Sequence, residues 1–411
     1  MNVTNQQKIK AIWLRPQVAP LLALALLCEL GVAILNVAVM PVYLRDLRGF
    51  SEGVVGLVVM SFLLSEAFFK SFMGHYTDKY GKKFFLISAP MIWSITPILT
   101  LLIPMGYGVT ETLAIAGLRV LDGLSAAMLW PAAYASVAEA VGPRERAHAL
   151  SLLNVCFMIG LALGLPIAGG LNGLFDNPGA GLFAASFLFV LAALIAVFFH
   201  PKSSRSHVDV AEEYRIKDIW LCCKKIPLLL ITAFVTFLGV GFPMVPLQWF
   251  AKDELNLTQA EFGGLALPAG ILMALASVPL GSWGERIGKE KAVQLGLGMC
   301  SIGIWLVALG AWIPFLQTQI VLSLGAVLVG LGFLLAIPSW YATVSHIHPK
   351  RSASYLGAVM TAQGLGAIIG LVIGSKMYEF NHYAPFVACG NAVTLGFFLS
   401  FFALDRLEKR T

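Results

Sequence analysis

The sequence predicts an all-α integral membrane protein with twelve transmembrane helices, arranged as two bundles of six. Three observations predict this fold class: the composition, a series of long apolar segments, and a repeat that relates the two halves. Of the 411 residues, 58% are hydrophobic and 12% are charged, whereas soluble domains are about half apolar and about a quarter charged. So few charges could not cover the surface of a soluble protein of this size.

The apolar segments match the thickness of a membrane. A helix needs about 20 apolar residues to cross the hydrocarbon core, and such segments recur along the whole chain. We expect helices at 18–43, 54–74, 84–104, 111–137, 148–171, 180–199, 226–249, 261–281, 291–311, 318–344, 353–377 and 383–403.

A polar stretch near the middle divides the chain. The sequence predicts a first six-helix bundle over residues 1–200, a cytoplasmic linker over 201–225, and a second bundle over 226–411. With the N-terminus inside, 22 of the 28 Lys and Arg residues fall in inner segments and 4 in outer ones. Because positive residues concentrate on the cytoplasmic side of membrane proteins, both termini are predicted to be cytoplasmic. The net charge of +6 therefore serves orientation and contact with membrane lipids, and it does not imply a nucleic-acid partner.

The two halves repeat each other at an offset of about 207 residues. Gly123 aligns with Gly330, Pro131 with Pro338, and the register extends over helices two to five and eight to eleven. Parallel repeats of six helices are a transporter architecture, with substrate near the membrane midplane.

The loop GHYTDKYGKK, residues 74–83, follows the second predicted helix. It resembles the G-x-x-x-D-[RK]-x-G-[RK]-[RK] signature of the major facilitator superfamily, and a weaker copy at 281–290 follows helix eight. The resemblance implies the twelve-helix fold of that superfamily and a conformational latch between the two halves. The latch residues would be Gly74, Asp78, Lys79, Gly81, Lys82, Gly281, Glu285 and Arg286. Alternatively, the lysines only fix the topology.

Five charged residues fall in the interiors of predicted helices, at least four residues from either end and all in the first half: Glu29, Glu66, Lys70, Arg119 and Asp122. A charge at a helix centre costs about 2.5–3.5 kcal/mol on insertion scales. The repeat provides an internal control, because it has small or apolar residues where the first half has charges. The equivalents of Glu66, Lys70, Arg119 and Asp122 are Met273, Ser277, Ala326 and Val329.

Arg119 and Asp122 are spaced i, i+3 on one helix and can meet. The segment 119–123 resembles the R-x-x-x-G pattern of helix four in proton-coupled members of the superfamily, but it has Asp122 where a glutamine is common. The pair is either part of a proton-coupling site or a neutral structural ion pair.

Helix one contributes a further acid, Glu29, with Asn36 on the same face. This carboxyl group either takes up and releases a proton during transport or is a hydrogen-bonded structural acid. Glu66 is a third coupling candidate. It pairs with Lys70 or with Arg119, or else Lys70 extends its amine to the membrane surface and leaves Glu66 without it.

The segment GLALGLPIAGG, residues 160–170, resembles the G-P-x-x-G-G motif of drug–proton antiporters, with Leu165 replacing the first glycine. Small residues allow close helix packing in membranes. The predicted packing residues are Gly160, Gly164, Pro166, Gly169 and Gly170. A close-packed, kinked helix without a transport role is the alternative.

Polar, aromatic and soft residues near the midplane are candidates for a substrate cavity. They are Asn36 and Tyr134 in the first half, and Phe242, Met244, Gln248, Trp340, Tyr341 and Gln363 in the second. Any one of them also suits ordinary packing.

The sequence thus predicts a secondary transporter in a bacterial inner membrane, which exports a small amphipathic or lipophilic compound by proton-coupled alternating access, and it resembles the 12-helix drug:H+ antiporter type. A lipid or glycolipid flippase, an uptake symporter and a non-transporting receptor are the alternatives. No enzyme motif, metal site or cofactor is expected, and the partners are substrate, protons and lipids, with the chain as a monomer.

Overall fold

The structure is a computed structural model that describes residues 12–141, 146–177, 179–198, 224–313, 319–347 and 352–408. These residues form twelve long helices, which we number α1 to α12. They are α1 (Ala19–Leu47), α2 (Glu52–Tyr80), α3 (Lys82–Leu102), α4 (Val109–Glu139), α5 (Arg146–Leu174), α6 (Ala180–Phe198), α7 (Pro227–Asp253), α8 (Gln259–Ile287), α9 (Lys289–Ala308), α10 (Gln319–Ile347), α11 (Ser352–Tyr378) and α12 (Ala384–Glu408).

The predicted helices are confirmed in number and order, although most are a few residues longer than expected. Within the described residues, 11 helices are long and apolar enough to cross a membrane. The remaining one, α8, is 29 residues long and holds two internal prolines. Most of the predicted linker at 201–225 lies outside the described residues.

Two helices are irregular. In α1, π-helical segments over Ala33–Val39 and Tyr43–Leu47 flank a short α-helical stretch that contains Pro41. Proline lacks the backbone donor that a regular helix requires, and π-bulges inside helices are frequent at functional sites. In α7, a turn after Gly241 separates Pro227–Gly241 from Pro246–Asp253.

The chain divides into two compact units. The first comprises Met1–Ser206 together with Leu257–Leu267, and the second comprises His207–Asn256 together with Pro268–Thr411. In the first unit α2 packs on α4, α3 on α4 and α6, and α1 on α5 and α6. In the second unit α9 packs on α10 and α12, and α7 on α11 and α12.

The sequence repeat has a structural counterpart inside each unit. A Cβ atom on Gly123 would lie 2.3 Å from a carbonyl oxygen of α2, and one on Gly330 would lie 2.1 Å from the sulfur of Met273 on α8. The Trp93 Nε1 donates to the Asp122 carbonyl oxygen at 3.0 Å, and the Cys300 thiol donates to the Val329 carbonyl oxygen at 3.3 Å. Both pairs of contacts are related by the same offset of about 207 residues. The helices inside each unit therefore pack at equivalent positions.

The short connections between α2 and α3 and between α8 and α9 are also equivalent. Each contains a glycine with positive φ, Gly81 at 93° and Gly288 at 97°. Glycine adopts this conformation without steric strain, so the signature loop and its weaker copy reverse the chain in the same way.

Candidate functional site: a buried polar cluster in the first unit

Asp122 lies on α4 with no exposed surface, and three partners hold it. The Thr96 hydroxyl on α3 donates to the Asp122 Oδ1, and Arg119 Nη1 lies 2.8 Å from the Oδ2. The third partner is Trp93, which binds the backbone carbonyl. The i, i+3 contact expected from the sequence is therefore present in the structure.

Arg119 is also fully buried and reaches two more helices. Its Nη1 donates to the Asn36 Oδ1 at 3.3 Å, and its Nη2 donates to the Thr100 hydroxyl oxygen at 3.2 Å. A buried ion pair is tolerated only where further hydrogen bonds offset the desolvation of both charges. We call Arg119, Asp122, Asn36, Thr96 and Thr100 the α4 polar cluster.

The repeat shows that the fold does not need this cluster. Thr96 is equivalent to Gly303 and Asp122 to Val329. In the second unit the same helix pair meets through an apolar contact, because a Cβ on Gly303 would lie 2.9 Å from the Val329 Cγ2. The helices α9 and α10 thus pack without any ionised group at these positions.

Glu29 lies on α1 and is 3% exposed. Glu66 on α2 and Tyr134 on α4 lie near it. Glu66 also pairs with Lys70 at 3.0 Å, and the Lys70 side chain is 52% exposed. The structure therefore places Glu66 with Lys70 and pairs Arg119 with Asp122.

The glycine motif of α5 packs closely on its neighbours. A Cβ on Gly160 would lie 2.9 Å from the Glu29 Cβ, and one on Gly164 would lie 2.4 Å from the Ala33 Cβ. Gly169 approaches the backbone of Ala260 at the start of α8, and Gly263 approaches Pro166. No atom lies within 4 Å of a Cβ built on Gly170, so that glycine has no packing constraint.

An amide contact at the end of α5 was not anticipated. The Asn172 side-chain nitrogen donates to the Gln259 Oε1 at 2.8 Å, and the Gln259 amide donates to the carbonyl oxygen of Ala38. It joins α1, α5 and the first turn of α8, all within the first unit.

The candidates in the second unit are mostly buried. The Tyr341 hydroxyl donates to the Gln363 Oε1 at 2.8 Å, and Trp340 lies in the hydrophobic core of this unit. Phe242 and Gln248 are buried, whereas Met244 is 46% exposed. The structure thus brings Tyr341 and Gln363 together.

The signature loop forms an ion pair that the sequence analysis missed. The Lys82 Nζ binds the Glu139 carboxylate at the end of α4. Arg286 is exposed. Gly74, Asp78, Lys79, Gly281 and Glu285 belong to α2 and α8, but their side-chain surroundings lie outside the part that the structure describes.

A second buried ion pair contains Arg48, which is one of the four charges that the sequence assigns to outer segments. Its Nη1 lies 2.6 Å from the Glu111 Oε1, with side-chain exposures of 0% and 2%. Its Nη2 donates to the carbonyl oxygens of Thr100 and Ile103 at the end of α3. The two charges are 63 residues apart in the sequence, so no local sequence pattern indicates that they pair. Among the described residues, no group of His, Cys, Asp and Glu could hold a metal ion.

Comparison with known proteins identifies the family. The model of the Major Facilitator Superfamily matches residues 21–230 and again 229–411. The chain belongs to the major facilitator superfamily. The resemblance seen in the signature loops is thereby confirmed, and a superfamily member of this kind is a multi-pass membrane transporter rather than an enzyme.

Named relatives within the superfamily span nearly the whole chain. The sequence is 25% identical over 377 residues to Multidrug resistance protein 2 of Bacillus subtilis, covering 89% of this chain and 90% of the relative. It is 27% identical over 367 residues to the multi-drug resistance efflux pump PmrA of Streptococcus pneumoniae, covering 86% and 88%. Quinolone resistance protein NorA of Staphylococcus aureus is 23% identical, with 87% and 88% covered.

Solved structures of the superfamily share the fold at low identity. A bacterial homologue of the human lysosomal transporter Spinster has a TM-score of 0.75 at 16% identity, covering 96% of this chain and 98% of that one. A mutant of the nucleoside transporter NupG has a TM-score of 0.74 at 15% identity, covering 95% and 99%. At this identity the likeness establishes the superfamily fold and nothing about substrate.

Proposed function

We propose that this chain is a proton-coupled exporter that moves a small amphipathic or lipophilic compound by alternating access. The α4 polar cluster carries the proposal, because it contains a buried basic and acidic side chain in a membrane-spanning helix where the repeat has Ala326 and Val329. Groups that are expensive to bury and that the fold does not require are functional candidates in a membrane protein.

Protonation of Asp122 would neutralise the partner of Arg119 and release the guanidinium to other acceptors. Glu29 and Glu66 are the other candidate proton sites, since they interact with each other and lie in the same unit. A proton or substrate shifts a two-state equilibrium only through different affinities for the two states. Antiport follows when proton and substrate compete for one acidic site.

The direction and the substrate class rest on relatives and on motif. The proteins of Bacillus subtilis, Streptococcus pneumoniae and Staphylococcus aureus carry names of multidrug or quinolone resistance, and the 160–170 segment resembles the antiporter motif. The predicted cavity residues are Asn36 and Tyr134 in the first unit, and Phe242, Met244, Gln248, Trp340, Tyr341 and Gln363 in the second. Such a mixture suits an amphipathic molecule, which has polar and apolar parts.

The bacterial relatives and the charge bias also support a location. We place the chain in a bacterial inner membrane with both termini cytoplasmic, working as a monomer in contact with lipid. The signature loops Gly74–Lys83 and Gly281–Glu290 would then be the cytoplasmic latch.

The proposal is tested with the protein reconstituted in liposomes under an imposed pH gradient. Compounds of different charge and lipophilicity, including a fluorescent lipophilic cation, are offered as substrates while internal pH is recorded. Proton movement that depends on substrate and runs opposite to it supports antiport, and movement in the same direction would indicate symport. Lipid scrambling without proton movement would indicate a flippase, and the absence of any flux would favour a receptor.

A further inference from the structure

Arg48 lies between the end of α1 and the beginning of α2, and it makes an unusually complete set of contacts. Its Nε and Nη2 donate to the Tyr43 hydroxyl oxygen at 3.1 and 3.0 Å, and its Nη1 binds the Glu111 Oε1. The other Glu111 oxygen accepts the backbone N–H of Gly106 at 2.8 Å. Both charges are therefore partnered inside the protein.

A neighbouring ion pair is more exposed. Arg45 Nε lies 3.0 Å from the Glu52 Oε1, and the two side chains are 19% and 20% exposed. A residue that only sets topology needs to be charged and near the surface, as Arg45 is. Arg48 is completely buried and donates to two carbonyl oxygens at the end of α3, which indicates a role beyond setting the topology.

Thr100 connects this ion pair to the α4 polar cluster. Its backbone carbonyl accepts from Arg48 Nη2 at 2.8 Å, and its hydroxyl oxygen accepts from Arg119 Nη2 at 3.2 Å. The same hydroxyl donates to the Thr96 carbonyl at 2.8 Å, and the Thr96 hydroxyl donates to Asp122. One turn of α3 thus contacts Arg48 through its backbone and both partners of the coupling pair through its hydroxyls.

We propose that Arg48 is a positioning residue for proton coupling, which fixes the last turn of α3 so that Thr100 and Thr96 hold Arg119 and Asp122 in place. The inference rests on the proposed role of that pair. Arg48 acts through Thr100 and takes up no proton itself.

The charged and titratable groups around this network come from three helices. The α1 helix and its end contribute Glu29, Tyr43 and Arg48, and α4 contributes Glu111 and Tyr134 with the coupling pair. The α2 helix, which packs on α4, contributes Glu66, whose carboxylate binds Lys70. In its contacts with the network, α3 presents only hydroxyl, carbonyl and indole groups, so it transmits position and adds no charge.

The test is a double-mutant cycle read as a pH profile of transport. Thr100→Val removes the hydroxyl while keeping the shape, and Arg48→Lys keeps the charge but cannot reproduce the fork of donors. Each variant, and the double variant, is reconstituted in liposomes, and substrate-driven proton movement is measured across a range of pH. Arg45→Lys is the matched control.

We expect the midpoint of the pH profile to move toward alkaline pH by at least about 0.5 unit in each single variant, because a carboxylate that Arg119 holds less firmly binds a proton at lower proton concentration. The double variant should move by clearly less than the two shifts combined, since residues that act through one contact are not additive. Arg45→Lys should leave the midpoint in place.

Several outcomes would overturn the inference. One is a uniform loss of rate without a shift of the midpoint, and another is a pair of shifts that add. If Arg48→Lys fails to fold, Tyr43→Phe replaces it in the cycle and is subject to the same outcomes. Asp122→Asn separates this inference from the proposed function: retained coupling in that variant removes the Arg119–Asp122 pair from the coupling site and overturns the positioning role, while the proposed function then rests on Glu29 and Glu66. If Asp122→Asn loses coupling but the Arg48 and Thr100 variants leave the midpoint of the pH profile unchanged, only the positioning role is refuted.

Discussion

The Arg119 guanidinium and the Asp122 carboxylate lie 2.8 Å apart on one face of α4, and neither side chain is exposed. The equivalent helix in the second unit, α10, has Ala326 and Val329 at these positions. One fold therefore contains the same helix pair with and without the ion pair, so the architecture does not require the pair.

Replacing the pair by the residues of the repeat should preserve the fold. We expect Asp122→Val alone to lose about 3–5 kcal/mol of stability, because it leaves the Arg119 charge buried without its counter-ion. The double variant Arg119→Ala, Asp122→Val should recover most of that loss while pH-driven transport is abolished. Thermal unfolding in detergent and proton-coupled flux in liposomes measure the two effects. A double variant that is no more stable than the single one would contradict this explanation.

Glu29→Gln should uncouple transport from the pH gradient without unfolding the protein. The amide has the size of the carboxyl group but cannot carry the proton, and Glu29 lies in a tightly packed position beside Gly160. Flux of substrate down its own gradient should remain, while flux driven by pH should be lost. Glu52→Gln, the same change in a partly exposed ion pair, is the control and should behave as the natural protein. Unchanged pH-driven flux in Glu29→Gln would remove this residue from the mechanism.

Two glycines of the same α5 motif should respond differently to one added methyl group. Gly160→Ala forces its Cβ to within 2.9 Å of the Glu29 Cβ, and overpacking of this kind costs about 1–3 kcal/mol. Gly170→Ala meets no atom within 4 Å and should be neutral or gain up to about 1 kcal/mol from helix propensity. Unfolding temperatures of the two variants provide the comparison. Equal destabilisation would show that the packing geometry of α5 is not what the motif preserves.

Much of the architecture was predictable because membrane helices carry a strong signal. Length, hydropathy and the repeat defined twelve helices and their order, and the i, i+3 spacing predicted the contact of Arg119 with Asp122. The repeat aligned Gly123 with Gly330, and both glycines approach neighbouring helices in equivalent ways.

The partners that come from distant segments were not predictable from local pattern. Thr96 and Thr100 are spaced i, i+4 on one face of α3, which in retrospect marks a polar face, but nothing in the sequence pairs that face with Arg119. The contact of Arg48 with Glu111 depends on how the ends of α1, α3 and α4 meet. A regular helical period also does not reveal the π-helical segment at Ala33–Val39, which contains Asn36.

The ion pair between Lys82 and Glu139 supports a charge-reversal test of the signature loop. Lys82→Glu and Glu139→Lys should each slow transport several-fold, because each places two like charges together at the junction of α2 and α3. The pair is partly exposed, so each single change should cost no more than about 1 kcal/mol of stability. The doubly reversed variant should regain most of the rate, as measured by substrate flux in liposomes.

The control for this test is the next residue of the loop. Lys83→Glu makes the same change of charge at an exposed neighbouring position, so it alters the local field without disrupting the ion pair, and it should transport at close to the natural rate. A doubly reversed variant that stays as slow as the single ones would mean that the identity of Lys82, rather than its pairing with Glu139, governs the transport step. If Lys83→Glu slows transport equally, the effect comes from the net positive charge of the loop rather than from the ion pair, as expected of a residue that only sets topology.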